Sequence, residues 1–338
     1  MDTFLSSVSF SQFTDLIRRS WVKTQSLIMP RAQELYIKDS IGKGQGNSKR
    51  YDEIDTETFG KRKYEGASAK KASIGVGYEV TMYKKRIAME IDITQEMRDE
   101  NRYPEVQSLI TNLTHFAPQR IELDLTHRLT FSTSTSYTDL DGDTVDLTVG
   151  DGLSLLNSAH TLKYSSTTYS NRVSGDPIFS KGGLESAEQL TVSNILSNFG
   201  ERRVMNFNAI ITGDDPNTCN NVRQFLDSTS DVDQNNPNVI NVYKGKYRHI
   251  ELPYLATTAT SAYDSTKRRI WFLGAINQGF NGWQAYFGVW EEPHLKEEPT
   301  AGSNAEDTHR DIWTYGTRAG YGIVAVSGRG LIGSFVSN

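Results

Sequence analysis

Between Ile74 and Ile93 apolar residues alternate with polar ones, and midway the alternation changes parity. Ile74, Val76, Tyr78, Val80 and Met82 fall on even positions. After Tyr83-Lys84-Lys85-Arg86, the apolar residues Ile87, Met89, Ile91 and Ile93 fall on odd ones. Strict alternation marks a strand, and the parity switch implies a bulge or a twist where the ribbon enters a different packing environment. The ribbon begins near Tyr51, where it is basic and punctuated by glycine, and runs directly into a long segment of helical period ending near Phe131. That order predicts an arm built to reach a neighbour, anchored on a rigid spine. Two arms of about 15 residues at roughly 3.3 Å per residue would span on the order of 50 Å. An isolated two-stranded hairpin is marginal in water, so this one is expected to gain order from a second copy of the protein.

The spine follows a short helical signal at Thr94 to Glu100. Pro104 stands at a first helical position, and Val106, Leu109, Ile110, Leu113, Ala117, Ile121, Leu125 and Leu129 step by three or four over some seven turns. Pro118 predicts either a kink or a break into two helices at Ala117. Ahead of the ribbon, Phe10, Phe13, Leu16, Ile17, Trp21, Leu27 and Ile28 predict an amphipathic helix stopped by Pro30, and residues 39–50 read as a flexible strap. After the spine, residues 132–149 are polar and turn-rich, and a polar loop at 165–183 leads to a helix from about Leu184 to Phe199. Val204 to Ile211 reads as a buried strand. Asp214-Asp215-Pro216 opens a helix whose inward face is Val222, Phe225 and Leu226. Val239 to Tyr243 and Tyr247 to Leu252 predict a hairpin. Strands at Ile270 to Ile276, Tyr286 to Trp290, Ile312 to Arg318 and Gly322 to Val326 complete an α+β pattern without βα alternation.

With 338 residues the chain is long enough for roughly two domains, and its single cysteine, Cys219, rules out an intrachain disulfide. The net charge of -5 does not advertise a nucleic-acid binder. Its distribution is uneven: Lys38 to Arg86 holds twelve Lys/Arg against seven Asp/Glu, whereas Phe287 to Asp311 holds seven acids against two bases. Two opposite patches suit head-to-tail self-association. No apolar run is long enough to span a membrane, and Met1 to Phe10 lacks the pattern of a signal peptide.

Motifs that carry chemistry are sparse. Asp139, Asp141, Asp143 and Asp146 alternate as oxygen ligands of a hard cation would, but Thr144 and Gly150 occupy the positions where a calcium loop needs Gly and Glu, so a solvated acidic turn is expected. The six histidines are scattered, no phosphate loop or nucleophile elbow is present, and no cofactor or metal is expected. An enzyme reading would rest on Asp139, Asp141, Asp143 and His160 as a carboxylate-dependent hydrolase.

The succession of Tyr83-Lys-Lys-Arg-Ile-Ala-Met-Glu-Ile91, Thr94-Gln-Glu-Met-Arg-Asp-Glu-Asn101, the spine, and Gly150-Asp-Gly-Leu-Ser-Leu-Leu-Asn-Ser-Ala-His160 resembles major capsid proteins of tailed double-stranded-DNA bacteriophages. These have the Hong Kong 97-type fold. Trp313-Thr-Tyr-Gly-Thr-Arg-Ala-Gly-Tyr-Gly322 is similar to the closing strands of that family, including its Mu-type head subunits. The resemblance implies an α+β chain with an N-terminal arm (1–50), an extended E-loop hairpin (51–86), a P-domain with a long spine helix (87–183), an A-domain (184–265) and strands returning to the P-domain (266–338). It implies a structural protein and not an enzyme, forming hexamers and pentamers of an icosahedral shell. The shell encloses double-stranded DNA without sequence specificity and is assembled in the host cytoplasm with a portal, a separate scaffold and decoration proteins. Lys61, Arg62, Lys63, Lys70 and Lys71 are then expected to meet Glu291, Glu292, Glu297 and Glu298 of an adjacent subunit. Exposed pairs contribute only about 0 to 1 kcal/mol each, so the energy must come from overlap repeated around every capsomer. Besides the hydrolase, the competing reading is another phage component such as a tail or decoration protein.

Overall fold

The break in alternation at Lys84 separates two strands that belong to different sheets. The computed structural model describes residues 18–23, 31–42, 44–57, 59–72, 74–100, 102–230, 240–297 and 312–336. Residues 18–23 are helical (α1); the rest of the expected N-terminal helix, with Pro30, lies outside the described residues. There follow β1 (Ile37–Ser40), β2 (Ser48–Thr56), β3 (Ile74–Tyr83), β4 (Lys85–Thr94), α2 (Gln95–Asp99) and α3 (Tyr103–Thr130). Two short ribbons come next, β5 (Ser136–Thr138) with β6 (Thr144–Asp146), and β7 (His160–Thr161) with β8 (Thr168–Tyr169). The remainder comprises α4 (Lys181–Ser193), β9 (Ala209–Gly213), α5 (Pro216–Asp227), β10 (Arg248–Leu252), β11 (Trp271–Gly274), β12 (Ala285–Glu297), β13 (Ile312–Ala325) and β14 (Leu331–Ser334).

Two four-stranded sheets organise these elements, in the orders β1-β12-β13-β4 and β10-β9-β11-β14, while among the described residues β2 and β3 pair only with each other. In the first sheet β13 runs antiparallel to β4 from Ile312↔Thr94 to Tyr321↔Lys85. Helix α3 lies on this sheet. Val106, Ile110 and Leu113 pack with Trp21, Ile93 and Tyr315 at one end, and Ala117, Ile121, Leu125 and Leu129 pack with Leu35, Phe287 and Tyr321 towards the other. The helix is continuous through Pro118, so the alternative of two helices is excluded. In the second sheet β9 is buried along its whole length. Its alternate side chains serve two cores: Ala209 and Ile211 join the α3 side, while Ile210 faces Leu184 and Ala187 of α4 and Val222 and Phe225 of α5. The α5 start matches its sequence signature, because the Asp215 carboxylate accepts the Thr218 N–H at 3.1 Å and Pro216 follows.

Several boundaries differ from expectation, each for a local reason. Helix α4 starts at Lys181 because the Ser180 hydroxyl accepts the Gly183 N–H, and it ends at Ser193, ahead of a turn that carries the Leu196↔Arg202 bridge. The strand expected from Val204 starts only at Ala209. The expected hairpin at 239–252 does not form: β10 pairs in parallel with β9, and Asn241 is drawn to the end of α5, where its Nδ2 donates to the Phe225 and Ser228 carbonyls. Val239 itself lies outside the described residues. Ile312 to Val326 is essentially one strand where two were expected, since Gly320 and Gly322 serve close approach: a Cβ at Gly322 would stand 2.6 Å from the Tyr83 carbonyl. The strap is ordered at both ends as β1 and β2, and its loop is held where Trp290 Nε1 donates to the Gly46 carbonyl at 2.9 Å.

His127 on α3 is buried, in edge-on contact with Phe131 and Tyr137. Thr257 Oγ1 donates to the Tyr254 carbonyl at 2.7 Å, so at 3.0 Å it accepts from His127 Nε2. Burial pushes the imidazole from 6.5 down to about 4. The unfolded chain therefore takes up a proton below pH 6.5 that the folded chain refuses. Stability from this residue is full above pH 6.5 and declines by on the order of 3 kcal/mol as pH falls to about 4. The depressed carboxyls of Asp39, Asp139 and Asp151 lose stability only below their usual 3.8. Denaturant unfolding across pH 4 to 7 should show the decline in the wild type and a flattened profile in His127→Gln.

Candidate assembly interface

The ribbon β2–β3 changes character halfway along. Near its root Tyr51 and Met82 are buried with Ile41, Trp290, Val324 and Val326, and Tyr51 stacks on Tyr286 at 4.2 Å between ring centroids. The pairing register then shifts between Asp52↔Glu79 and Ile54↔Val76, which places an extra residue in β3. Because side chains alternate with period two, one extra residue exchanges the faces of β3 beyond it. Val80 and Met82 point inward before the irregularity, and Gly75 and Gly77 point inward after it, beside Glu53 and Asp55 of β2. The outer half is thus turned inside out. Its carboxylates are buried, while Ile54, Val76 and Ile74 are 55%, 48% and 76% exposed.

The buried side of this half rests on its own subunit. Arg329, only 3% exposed, pairs with Glu53 and lies 3.9 Å from Asp55. Asn198 joins all three: its backbone N–H donates to Asp55 at 2.7 Å, its Nδ2 donates to Glu53 at 2.8 Å, and its Oδ1 accepts from Arg329 at 2.8 Å. Lys163 Nζ and the Tyr164 hydroxyl donate to the Gly77 and Val76 carbonyls, both at 2.7 Å. The two glycines are needed for this contact, since a Cβ at Gly75 would lie 2.4 Å from the Tyr164 ring and one at Gly77 2.6 Å from Asn198. Sequence reasoning missed Glu53, Asp55, Asn198 and Arg329. The one available signal was Gly75 and Gly77 lying between apolar residues, a spacing that marks close approach in a strand.

At the ribbon root, Lys85 Nζ lies 3.0 Å from Asp124 and 2.6 Å from Asp139, and Arg120 bonds Asp124, Asp139 and Asp141. Asp139 also accepts the N–H groups of Asp141 and Asp143. Burial alone would raise the Asp139 carboxyl, but Lys85 and these backbone donors outweigh it and hold the group below the usual carboxylate range. The expected solvated turn is therefore corrected at Asp139, which is buried and ion-paired. His160 takes other partners, bonding Asp151 at 2.8 Å and stacking on Tyr169, so among the described residues it shares no partner with Asp139, Asp141 or Asp143. Away from the ribbon, Cys219, His249 and Glu251 offer metal-ligand atoms within 4.8 Å of one another.

The five basic residues singled out in the sequence, Lys61, Arg62, Lys63, Lys70 and Lys71, are all exposed on the segment joining β2 to β3. Lys61 pairs with Glu57 at 2.9 Å, and Arg62 lies over the Tyr64 ring. Of the acidic group, half-buried Glu291 lies 3.5 Å from Arg318, and exposed Glu292 pairs with Lys38 at 2.7 Å. Glu297 ends β12, and Glu298 lies outside the described residues. The ribbon is also shorter than expected: β2 and β3 have nine and ten residues, or about 30 Å at roughly 3.3 Å per residue.

Replacing Arg329 with Met strands two buried carboxylates and should destabilise the fold by about 3 to 5 kcal/mol. Adding Glu53→Gln should recover part of that loss, giving a coupling energy between the two sites in denaturant unfolding. Additive effects of the two changes would contradict the pairing.

No family model matches the sequence, and no curated protein matches it. Solved structures do match. The asymmetric unit of the bacteriophage PhiM1 mature capsid aligns with a TM-score of 0.50 and 11% identity, covering 91% of this chain and 87% of that one. A virus-like particle from Pyrococcus furiosus (TM-score 0.48, 13% identity, 94% of this chain and 97% of that) and Mycobacterium phage Adephagia (TM-score 0.47, 11% identity, 98% and 96%) are similar over nearly the whole chain. At such identities the likeness speaks to fold. The chain has the α+β fold of phage capsid proteins, the fold that its resemblance to that family implied.

Proposed function

We propose that this chain is the major capsid subunit of a tailed double-stranded-DNA phage, a structural protein without turnover. The single observation that carries this reading is the inside-out ribbon. A soluble monomer has no use for a strand pair that buries Glu53 and Asp55 and presents Ile54, Val76 and Ile74 to water. A subunit whose neighbour lies over that stripe does. In this reading the neighbour is another copy of the chain in a hexamer or pentamer of an icosahedral shell.

In this reading residues 51–86 are the E-loop that overlaps an adjacent subunit, residues 87–183 with α3 are the P-domain, and residues 184–265 are the A-domain. Residues 1–50 form the N-terminal arm, and 266–338 return to the P-domain. Lys61, Arg62, Lys63, Lys70 and Lys71 steer the exposed segment towards acids of the neighbour, with Glu292 and Glu297 as candidates, while the apolar stripe supplies the burial. In this reading the shell encloses double-stranded DNA without sequence specificity, is built in the host cytoplasm with portal, scaffold and decoration proteins, and ends in the virion. Among the described residues, no helix is long and apolar enough to cross a membrane.

Electron microscopy of the protein expressed alone or with its neighbouring genes tests the class. Closed polyhedral particles are expected, and a monomer under all conditions overturns it. The stripe is tested by Ile54→Lys with Ile74→Lys. Both sites are exposed, so the unfolding free energy should stay within about 0.5 kcal/mol of the wild type, while particle formation is lost. Normal shells from that variant would remove the stripe from the assembly contact.

A further inference from the structure

The strand β10 and the helix α5 bring together three side chains that the assembly reading does not use. His249 and Glu251 are two residues apart on β10 and so share one face of the strand. The neighbouring strand β9 runs into α5 through the Asp214-Asp215 turn, and this delivers Cys219, on the first turn of the helix, over the same place. The Cys219 sulfur, a His249 ring nitrogen and a Glu251 oxygen lie within 4.8 Å of one another. All three stand on regular elements, which hold ligands more accurately than loops do.

The surrounding groups orient these side chains as outer partners of metal ligands do. Thr212 Oγ1 donates to the Gly213 carbonyl at 3.0 Å, so its 2.8 Å contact with His249 is served by an N–H at Nε2. The lone pair of neutral His249 then sits on Nδ1, 3.4 Å from Glu251 Oε1. In this tautomer Nδ1 and the carboxylate both present lone pairs beside the Cys219 thiol, which donates to the Gly213 carbonyl at 3.1 Å until a cation displaces its proton. Arg223 bonds Oε1 of the same carboxylate from outside, while exposed Arg31 lies 3.9 Å from Oε2, beyond hydrogen-bond reach, so that this second oxygen is open to inner coordination. Arg223 is half exposed and free to adjust. A thiolate, an imidazole and a carboxylate form a donor set suited to a borderline-soft divalent ion of tetrahedral preference, with the fourth position left to water.

We propose that Cys219, His249 and Glu251 bind one zinc ion, which ties α5 to the edge strand β10. Coordination forms the zinc–sulfur bond and breaks the S–H bond of Cys219, whose proton goes to solvent; no electron is transferred. The site is independent of whether the chain builds shells.

Cobalt(II) provides a direct test, because Cys219 is the only cysteine in the chain, so any thiolate-to-cobalt band can come from nowhere else. Full-length protein freed of metal by chelator dialysis is titrated with cobalt chloride and then with zinc chloride. The expected result is a charge-transfer band in the near ultraviolet with intensified visible bands, saturating at one equivalent and abolished by one equivalent of zinc. Cys219→Ser should lose the charge-transfer band, and His249→Gln should weaken zinc binding at least tenfold in calorimetry. Thr212→Val, which removes only the orienting hydroxyl, should weaken it by about 10- to 100-fold. Absence of the band in the wild-type protein overturns the proposal, as does a band that survives in Cys219→Ser. Should either ligand variant fail to fold, the wild-type titration decides alone.

Discussion

A guanidinium group taken out of water needs anions around it, and much of this molecule's arrangement follows from how Arg329 finds them. Arg329 sits just ahead of β14, near the C-terminal end of the chain, whereas its carboxylates come from β2, near the other end. An unpaired charge at such depth costs several kcal/mol, so the ribbon cannot lie elsewhere on its own subunit without leaving that cost behind. Asn198 adds geometry to charge, since its backbone and side chain together meet both carboxylates and the guanidinium. The consequence reaches the opposite face of the ribbon. With Glu53 and Asp55 committed inward, the intervening Ile54 has only solvent to face, and Val76 and Ile74 across the ladder share its position.

A second polar anchor lies at the ribbon root. Lys85 begins β4 and is held by Asp124 from α3 and Asp139 from the β5–β6 ribbon. Asp124 also accepts the Tyr321 hydroxyl from β13. Three elements that pack apolar faces against one another are therefore also registered by a charge cluster at the point where the ribbon leaves the sheet. Packing alone tolerates sliding; a lysine that must meet two carboxylates does so far less.

How much of this was legible in the sequence depends on the range of the forces involved. Alternation from Ile74 to Met82 and from Ile87 to Ile93 identified two strands, and the parity switch located their junction at Lys84, because periodicity is a local property. Helix α3 and the start of α5 were legible for the same reason: three-to-four spacing, Pro104, and an Asp215-Pro216 cap are written in neighbouring residues. The irregularity within β3 was hidden, since Gly75 and Gly77 have no side chains with which to show which way they face. Glu53 and Asp55 carry no signal of burial in the sequence because the partners that satisfy them, Asn198 and Arg329, lie more than 130 positions away. The expected hairpin before β10 failed similarly. Asn241 caps a helix through Ser228, thirteen residues earlier, and β10 is taken by the buried strand β9. Cys219 had no histidine near it in sequence, and only the parallel pairing of β9 with β10 supplies His249.

Helix α3 has a mechanical consequence of its own. Its 28 residues run unbroken from the cluster around Trp21 and Ile93 to the core around Leu129 and Leu255, a length of about 42 Å at roughly 1.5 Å per residue. A rod of that length is a lever. A tilt of about 5° at one end moves the other by almost 4 Å, on the order of a helical turn in rise. Small rotations at a subunit boundary near one end would thus arrive at the other as displacements large enough to exchange one set of side-chain contacts for the next.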